Sequence, residues 1–356
     1  MAHLFDPFTQ RGLTLRNRIV VSPMCQYSAH DGFVNDWHLV HLGARAVGGA
    51  GLVLSEAVAV TPEGRISPGC LGIWDDLHAN AFGRVVRFVK GEGAAFGIQL
   101  AHAGRKGSTR VPWDGVGVVA PEHGGWQVVG PDAVPYSDQY PVPHALSVPE
   151  ITALVEAFAA AARRAAEIGV DVVEIHAAHG YLLHEFLSPR SNSRTDAYGG
   201  DFAGRSRLCL EVAAAVREAW PEDRPAWVRL SATDWVDDGW TPDDTVELAR
   251  RLGALGVDLI DTSTGGNIHG AAVPAVPGFQ VPFAARIRRD AAIATGAVGL
   301  ITDPTVADAI VASGQADVVL LGRELLRHPY WPLSAADALG AEVEWPPQYI
   351  RARPPR

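Results

Sequence analysis

The chain has 356 residues, 47 % of them hydrophobic and 20 % charged, a globular balance that excludes a disordered polymer and supplies apolar material for a large core. Forty acidic against thirty basic side chains leave a formal charge of -10, the wrong sign for a surface that collects nucleic acid or anionic lipid. Three widely spaced cysteines, Cys25, Cys70 and Cys209, are odd in number and point to a reducing, cytoplasmic location rather than a disulfide framework.

In chain order, the opening MAHLFDPF lacks the basic start and apolar stretch of a leader, and no run of ~18 uncharged apolar residues follows, so no membrane span is expected. Residues 5–18, LFDPFTQRGLTLRN, predict a hairpin turning at Gln10 to Gly12. Short β-branched apolar runs then alternate with longer segments of helical period. The strand candidates are Ile19 to Met24, Gly51 to Val60, Ala95 to His102, Asp171 to His176, Ala226 to Ala232, Asp258 to Ser263, Ala297 to Ile301 and Asp317 to Leu321. The clearest helix runs from Glu150 to Ile168, with Ile151, Leu154, Val155, Phe158, Ala162, Ala165 and Ile168 on one face. Ser147 and Glu150 make a capping box there, Pro149 sits in its first turn and Gly169 ends it. Thr241-Pro242 and Thr302-Asp303-Pro304 open further helices.

Eight strand-helix pairs predict an α/β chain folded as one closed (β/α)8 TIM barrel over 1–356, with the hairpin as a plug beneath it. The Gly- and Pro-rich stretch 103–146 is too long for an ordinary connection and reads as a capping excursion over the third strand's exit. The tail 341–356, containing Trp345 and Tyr349, is expected to dock on a neighbouring subunit.

Barrel strands turn apolar residues outward onto the helices, so alternation tells which polar groups face the axis. Phe96, Ile98 and Leu100 go outward and leave Gln99 inside; Val173 and Ile175 leave Glu174 and His176 inside; Val228 and Leu230 leave Arg229 and Ser231 inside. An inward arginine needs either a polar ligand over the barrel mouth or an internal salt bridge, with Glu174 as the candidate partner.

Active sites of such barrels are built at the carboxyl ends of the strands. Those ends here carry Ser22-Pro23-Met24-Cys25-Gln26-Tyr27, His176-Ala177-Ala178-His179-Gly180-Tyr181, Gly299-Leu300-Ile301-Thr302 and Gly322-Arg323-Glu324-Leu325. The last two suit a phosphate, through glycine backbone N–H groups, a helix N-terminus and the Arg323 fork, or are plain turn punctuation. His176 and His179 converge only if the chain turns after His176. They then hold either a metal, for which no third ligand is evident, or one carbonyl oxygen. Tyr181 is a proton donor or a rim aromatic, and Cys25 is a functional or simply a buried thiol. Gly115 to Ala120 matches a dinucleotide-binding glycine pattern but opens no helix, and reads as a loop.

Together these segments resemble the old yellow enzyme family, the FMN-dependent ene-reductases, and within it the thermophilic-like, xenobiotic reductase A-type subgroup. The likeness runs through LFDPFTQRGLTLRNRIVVSPMCQYS, EAVAVTPEGRISPG, GIQLAHAGRK, EIHAAHGYLLHEFLSPRSNSRTDAYGGDF, VRLSATDW, VDLIDTSTGG, GAVGLIT and LLGRELLRHPYW, essentially the whole chain. The resemblance implies that Ser22, Pro23, Met24 and Cys25 line FMN, with the Cys25 sulfur tuning its potential, and that Ala57 and Gln99 contact the isoalloxazine. It implies Arg229 at the N1/O2 side, where reduced flavin carries negative charge, and Gly299, Gly322 and Arg323 at the phosphate. His176 and His179 match the pair that binds the substrate carbonyl, Tyr181 the proton donor, and Tyr27 a substrate contact. Arg351 matches an arginine that enters the neighbouring subunit's site, implying a homodimer or homotetramer. The capping segment, with PWDG and GGWQVVGP, looks like the xenobiotic reductase type.

The implied reaction is that of an NADPH dehydrogenase: NADPH reduces FMN, leaves, and an α,β-unsaturated carbonyl compound accepts hydride at its β-carbon while Tyr181 protonates the α-carbon. A metal-assisted lyase or aldolase using His176, His179 and Glu174 is the alternative from another enzyme class.

Overall fold

A computed structural model describes residues 2–354; Met1, and Pro355 and Arg356 of the expected tail, lie outside the described residues. Strands Ile19–Val21, Leu52–Ala59, Ala95–Ala101, Val172–Ala177, Ala226–Ser231, Leu259–Ser263, Ala294–Ala297 and Val318–Leu321 pair in parallel, each with the next, and the last pairs with the first. This closes the (β/α)8 barrel predicted from the alternation. Pairing of the last strand with the first leaves none of the eight as an open edge.

Helices Asp36–Val47, Asp76–Gly91, Val148–Glu167, Phe202–Ala219, Pro242–Ala254, Val281–Ala291 and Pro304–Ala312 wrap the outside, followed by Trp331–Ala338. Their starts are chemically marked. The Glu150 carboxylate accepts both the Ser147 N–H at 2.7 Å and its hydroxyl at 2.6 Å. Thr241 and Asp244 reciprocate in the same way, and Asp303 accepts from the N–H groups of Thr305 and Val306.

Alternation sorts the strand residues into two apolar layers. Phe96, Ile98, Leu100, Val173, Ile175, Val228 and Leu230 join the layer under the helices. Val20, Leu52, Leu54, Val172, Trp227, Leu259, Val318 and Leu320 fill the lower interior, each such side chain contributing about 1.5–3 kcal/mol by leaving water.

The hairpin Phe8–Gln10 with Leu13–Leu15 closes the bottom, with Leu15 inside the lower cluster. Its turn is the pair Arg11-Gly12, with Arg11 at φ 51°. Gln10 accepts the Trp227 indole N–H at 2.8 Å and donates to the Asp258 carbonyl at 2.9 Å, while Arg11 pairs with the Asp258 carboxylate at 2.7 Å. The plug therefore answers the Trp227 indole and both the carbonyl and the carboxylate of Asp258 at the bottom of the barrel.

Two strand boundaries differ from expectation. The first strand stops at Val21 rather than Met24, because Pro23 has no N–H to extend a ladder. The seventh is Ala294–Ala297, earlier than Ala297 to Ile301; the chain turns through Gly299 at φ 123° and Leu300 at φ 54°. Within 103–146 the only helical pieces among the described residues are three-residue turns, and Gly115 to Ala120 is loop.

Candidate active site

The inward positions of the third to sixth strands form a polar layer above the apolar one. Gln99 and Glu174 stand in register, as do Arg229 and Asp261. Gln99 Nε2 donates to Glu174 Oε1 at 2.7 Å. The expected alternative, a bridge from Arg229 to Glu174, is not what forms. Arg229 Nε lies 2.9 Å from Asp261 Oδ2, and its Nη2 donates to Ser22 Oγ at 3.1 Å. Asp261 takes the guanidinium because it is the in-register neighbour on the sixth strand, whereas Glu174 is held by Gln99.

This layer is incompletely satisfied. Asp261 Oδ1, Glu174 Oε2 and His176 Nδ1 are buried without a hydrogen-bond partner among the described residues, and the Arg229 Nε–Asp261 Oδ2 contact is an ion pair whose angle is not that of a hydrogen bond. Burial, and then the Asp261 charge, pushes the Glu174 carboxyl up, and burial raises Asp261 despite Arg229. With two buried carboxyl groups near one guanidinium, each carboxyl makes ionisation of the other harder. Orphaned polar atoms beneath a barrel mouth are what a polar, partly anionic ligand above them relieves.

The chain does turn after His176. The fourth strand ends at Ala177, His179 adopts φ 61°, and the two imidazoles meet with centroids 5.1 Å apart. His179 N donates to Ser231 Oγ at 2.9 Å, and its Nε2 lies 2.7 Å from Ser263 Oγ. The same hydroxyl also lies 3.3 Å from Gln280 Oε1, an acceptor; His179 Nδ1–H is left to donate elsewhere in the tautomer in which Ser263 turns its proton to His179 Nε2 instead. Burial first, and the Arg229 charge second, hold both histidines well below their usual range. They act as neutral hydrogen-bonding rings. The Tyr181 ring sits 5.1 Å from that of His176, and burial holds its phenol well above the usual value, so it keeps its proton at neutral pH.

Lys106, not singled out from the sequence, ties this corner together. Its ammonium donates to the carbonyls of His179 at 2.8 Å and Gly266 at 2.9 Å, and lies 5.0 Å from the Tyr181 ring centroid. Burial lowers its pKa to about 8. Parity on the sixth strand carried the signal for Asp261; no local pattern did so for Lys106, whose partners are loop carbonyls distant in sequence.

Around the mouth, Ser22 is buried and donates its N–H to the Leu321 carbonyl at 3.1 Å. Pro23, Met24 and Cys25 follow at intermediate exposure. Ala57 lies where the pairing of the second and third strands shifts register. Tyr27, at φ 51°, meets Trp113 of the capping segment edge-on at 6.0 Å, so the excursion does reach the mouth. Cys70 is buried. Cys209 is buried and free.

Gly299, Gly322 and Arg323 line one cavity of about 290 Å³ together with Gln280, Thr302 and Arg327. A Cβ at Gly299 would approach Gln280 Nε2 to 3.1 Å, and the Arg323 guanidinium makes no hydrogen bond or ion pair with the described residues. The helix after Gly322 spans only Arg323–Arg327, so backbone N–H groups and guanidinium, rather than a long helix dipole, would hold an anion here. The three ligands of the metal-assisted alternative do not gather: among the described residues no group of three or more His, Cys, Asp or Glu side chains is placed to hold a metal ion. Arg351 is exposed in the turn Pro347–Ala352, beside the Tyr330–Tyr349 ring contact at 5.8 Å, and does not join this site within its own chain. Among the described residues no helix is long and apolar enough to cross a membrane.

Residues 3–342 match the NADH:flavin oxidoreductase / NADH oxidase family. The chain is 50 % identical over 350 residues to an NADPH dehydrogenase of Geobacillus thermodenitrificans (strain NG80-2), covering 98 % of each chain. It is 45 % identical to an NADPH dehydrogenase of Bacillus subtilis (strain 168), again over 98 % of each. Among solved structures, morphinone reductase in complex with tetrahydroNAD superposes with a TM-score of 0.80 at 28 % identity, over 98 % of this chain and 94 % of that one. A 2-naphthoyl-CoA reductase complex gives 0.85 at 26 % identity, with this chain spanning about half (52 %) of that longer one. The family match over nearly the whole chain, together with the closed barrel and its polar mouth, establishes that this chain is an oxidoreductase of the NADH:flavin oxidoreductase family, the old yellow enzymes that its motifs resemble.

Proposed function

We propose that the protein is an FMN-dependent NADPH dehydrogenase that reduces the carbon–carbon double bond of α,β-unsaturated carbonyl compounds. The observation that carries this reading is the meeting of the His176 and His179 rings with Tyr181 beside them, directly above a polar layer with orphaned atoms. The residues present fit a flavin. Ser22, Pro23, Met24, Cys25, Ala57 and Gln99 would line its ring system, Arg229 its electron-rich pyrimidine edge, and Gly299, Gly322 and Arg323 its phosphate. FMN, when bound, supplies the two-electron chemistry: hydride taken from NADPH and given to the β-carbon of the alkene.

The protein's share is orientation and proton supply. Neutral His176 and His179 hydrogen-bond the substrate carbonyl oxygen and stabilise charge developing there, a role whose loss typically costs ~3 kcal/mol. Tyr181, held protonated by burial, delivers its proton to the α-carbon. Tyr27 and Trp113 wall the substrate side of the mouth, so the capping segment takes part in deciding which alkenes enter. The Asp261–Arg229 pair fixes the guanidinium at the axis of the barrel. Arg351, exposed and without a partner among the described residues, completes the site of a neighbouring subunit in a homodimer or homotetramer.

A visible spectrum tests the proposal. The purified protein is expected to be yellow, to release stoichiometric FMN on denaturation, to bleach with anaerobic NADPH and to regain colour when cyclohexenone is added. A colourless protein, or bleaching that the enone does not reverse, refutes it.

A further inference from the structure

The turn that carries His179 and Tyr181 is held amide by amide. His179 at φ 61° and Gly180 at φ 71° are two left-handed residues in succession, a conformation that persists only where its surroundings over-determine it. The His179 N–H is taken by Ser231 Oγ at 2.9 Å and the Tyr181 N–H by the Ala178 carbonyl at 3.2 Å. Between them, the Gly180 N–H donates to His184 Nδ1 at 3.0 Å. His184 stands in the short helix Leu182–Leu187 that the turn feeds. Its other ring nitrogen, Nε2, lies 3.1 Å from Oδ1 of Asp234, just past the fifth strand, an ion-pair distance rather than an aligned hydrogen bond. Both side chains are fully buried, and neither of those two atoms has a hydrogen-bond partner among the described residues. The second Asp234 oxygen accepts the Ser188 hydroxyl at 2.6 Å and the Trp240 N–H at 2.9 Å.

These contacts fix the protons of the ring. The Gly180 N–H needs the lone pair of Nδ1, so the imidazole proton sits on Nε2 and faces the Asp234 carboxylate. A packed apolar pair would fill the same space without the cost of burying a carboxylate. What the polar pair adds ends on one amide, between the two side chains that the proposed reaction uses. We propose that Asp234 and His184 are positioning residues for that reaction: the carboxylate selects the His184 tautomer, and the tautomer holds the Gly180 N–H. The left-handed turn so held aims His179 at the substrate carbonyl and Tyr181 at the α-carbon. The inference rests on the roles given to His179 and Tyr181 under the proposed function.

Asp234→Asn tests this with almost no change of shape. Its amide oxygen can keep the Ser188 and Trp240 donors, which turns the NH2 group towards His184 Nε2 and drives the ring proton to Nδ1, against the Gly180 N–H. With flavin content unchanged, the variant is expected to lose about 10²-fold in enone reduction and to weaken the charge-transfer band of a bound phenol, while NADPH bleaches it at the wild-type rate. His184→Asn, whose side-chain oxygen takes the place of Nδ1 but cannot reach Asp234, is expected to rescue most of the enone rate, and Asp234→Asn added to it should cost little more. A wild-type enone rate in Asp234→Asn, equal losses in both half-reactions, or His184→Asn as damaged as Asp234→Asn would overturn the proposal. A readout without turnover separates it from the functional reading. Nitrogen NMR of the histidine rings, with His184 identified by its absence from His184→Asn, should place the proton on Nε2 in the wild type and on Nδ1 in Asp234→Asn. A wild-type proton on Nδ1 overturns the pair whatever the enzyme reduces. The expected tautomers in a protein inert to enones would sink the functional reading and leave the hold on Gly180 standing.

Discussion

The two ends of the barrel interior are made by the same strands and obey opposite rules. At the amino ends, Val20, Leu52, Val172, Trp227, Leu259 and Val318 pack into one another, and the hairpin answers the polar groups through Gln10 and Arg11. At the carboxyl ends, further along the strands, Glu174, His176 and Asp261 each leave a buried atom without a hydrogen-bond partner among the described residues. The amino end closes mainly on apolar side chains, whereas the carboxyl end gathers polar ones. Stability and chemistry are thereby separated along the barrel axis, and the separation can be probed from either side.

The largest effect is expected at the mouth. Tyr181→Phe keeps the ring against His176 and removes the proton, and should slow enone reduction by roughly 10²- to 10⁴-fold while NADPH still bleaches the flavin at the wild-type rate in stopped flow. Unchanged enone turnover would take Tyr181 out of the acid role. At the opposite end, Trp227→Ala opens a cavity in the lower cluster and orphans Gln10; it should cost about 3–5 kcal/mol in urea unfolding. Its effect on the ratio of enone to NADPH rates should be small, and a selective loss of either half-reaction would show that the two ends are coupled.

A smaller, pH-dependent effect sharpens the comparison. Glu185, wholly buried beside the mouth, accepts the Arg105 N–H at 2.9 Å, and burial pushes its pKa up to about 8. A carboxyl raised in the folded state binds its proton more tightly there than in the unfolded chain. Its contribution to stability is complete below the ordinary carboxyl range and is lost as pH rises towards about 8, at up to about 1.4 kcal/mol per pH unit. Glu185→Gln should flatten the fall in unfolding free energy between about pH 5 and pH 8, read from urea melts across that range. An equally steep fall in the variant would place the titration elsewhere.

Much of the site was legible because strand parity is a strong rule: once the third, fourth and fifth strands were read, Gln99, Glu174, His176, Arg229 and Ser231 had to face the axis. Glycine turns likewise placed Gly299 and Gly322 at strand ends. Parity says which face a residue takes but not which neighbour across the barrel it meets, so the sequence offers Glu174 as the alternative to a ligand for Arg229, whereas the in-register partner is Asp261. Lys106 was passed over because its role lies in reaching two carbonyls on loops distant in sequence, and no local pattern encodes that. The seventh strand was misplaced because Val298, Leu300 and Ile301 are apolar enough for a strand, although their backbone is spent on a turn around Gly299.

By itself the sequence determined the repeat, the faces and the chemical repertoire, since apolar periodicity, capping residues and ordered motifs are all local properties written in adjacent positions. Only the tertiary structure decided the pairings: which carboxylate meets the arginine, and which lysine braces the tyrosine. The physical reason is that such contacts depend on register and loop closure between distant strands, quantities set by how the whole cylinder shuts rather than by any stretch of chain within it.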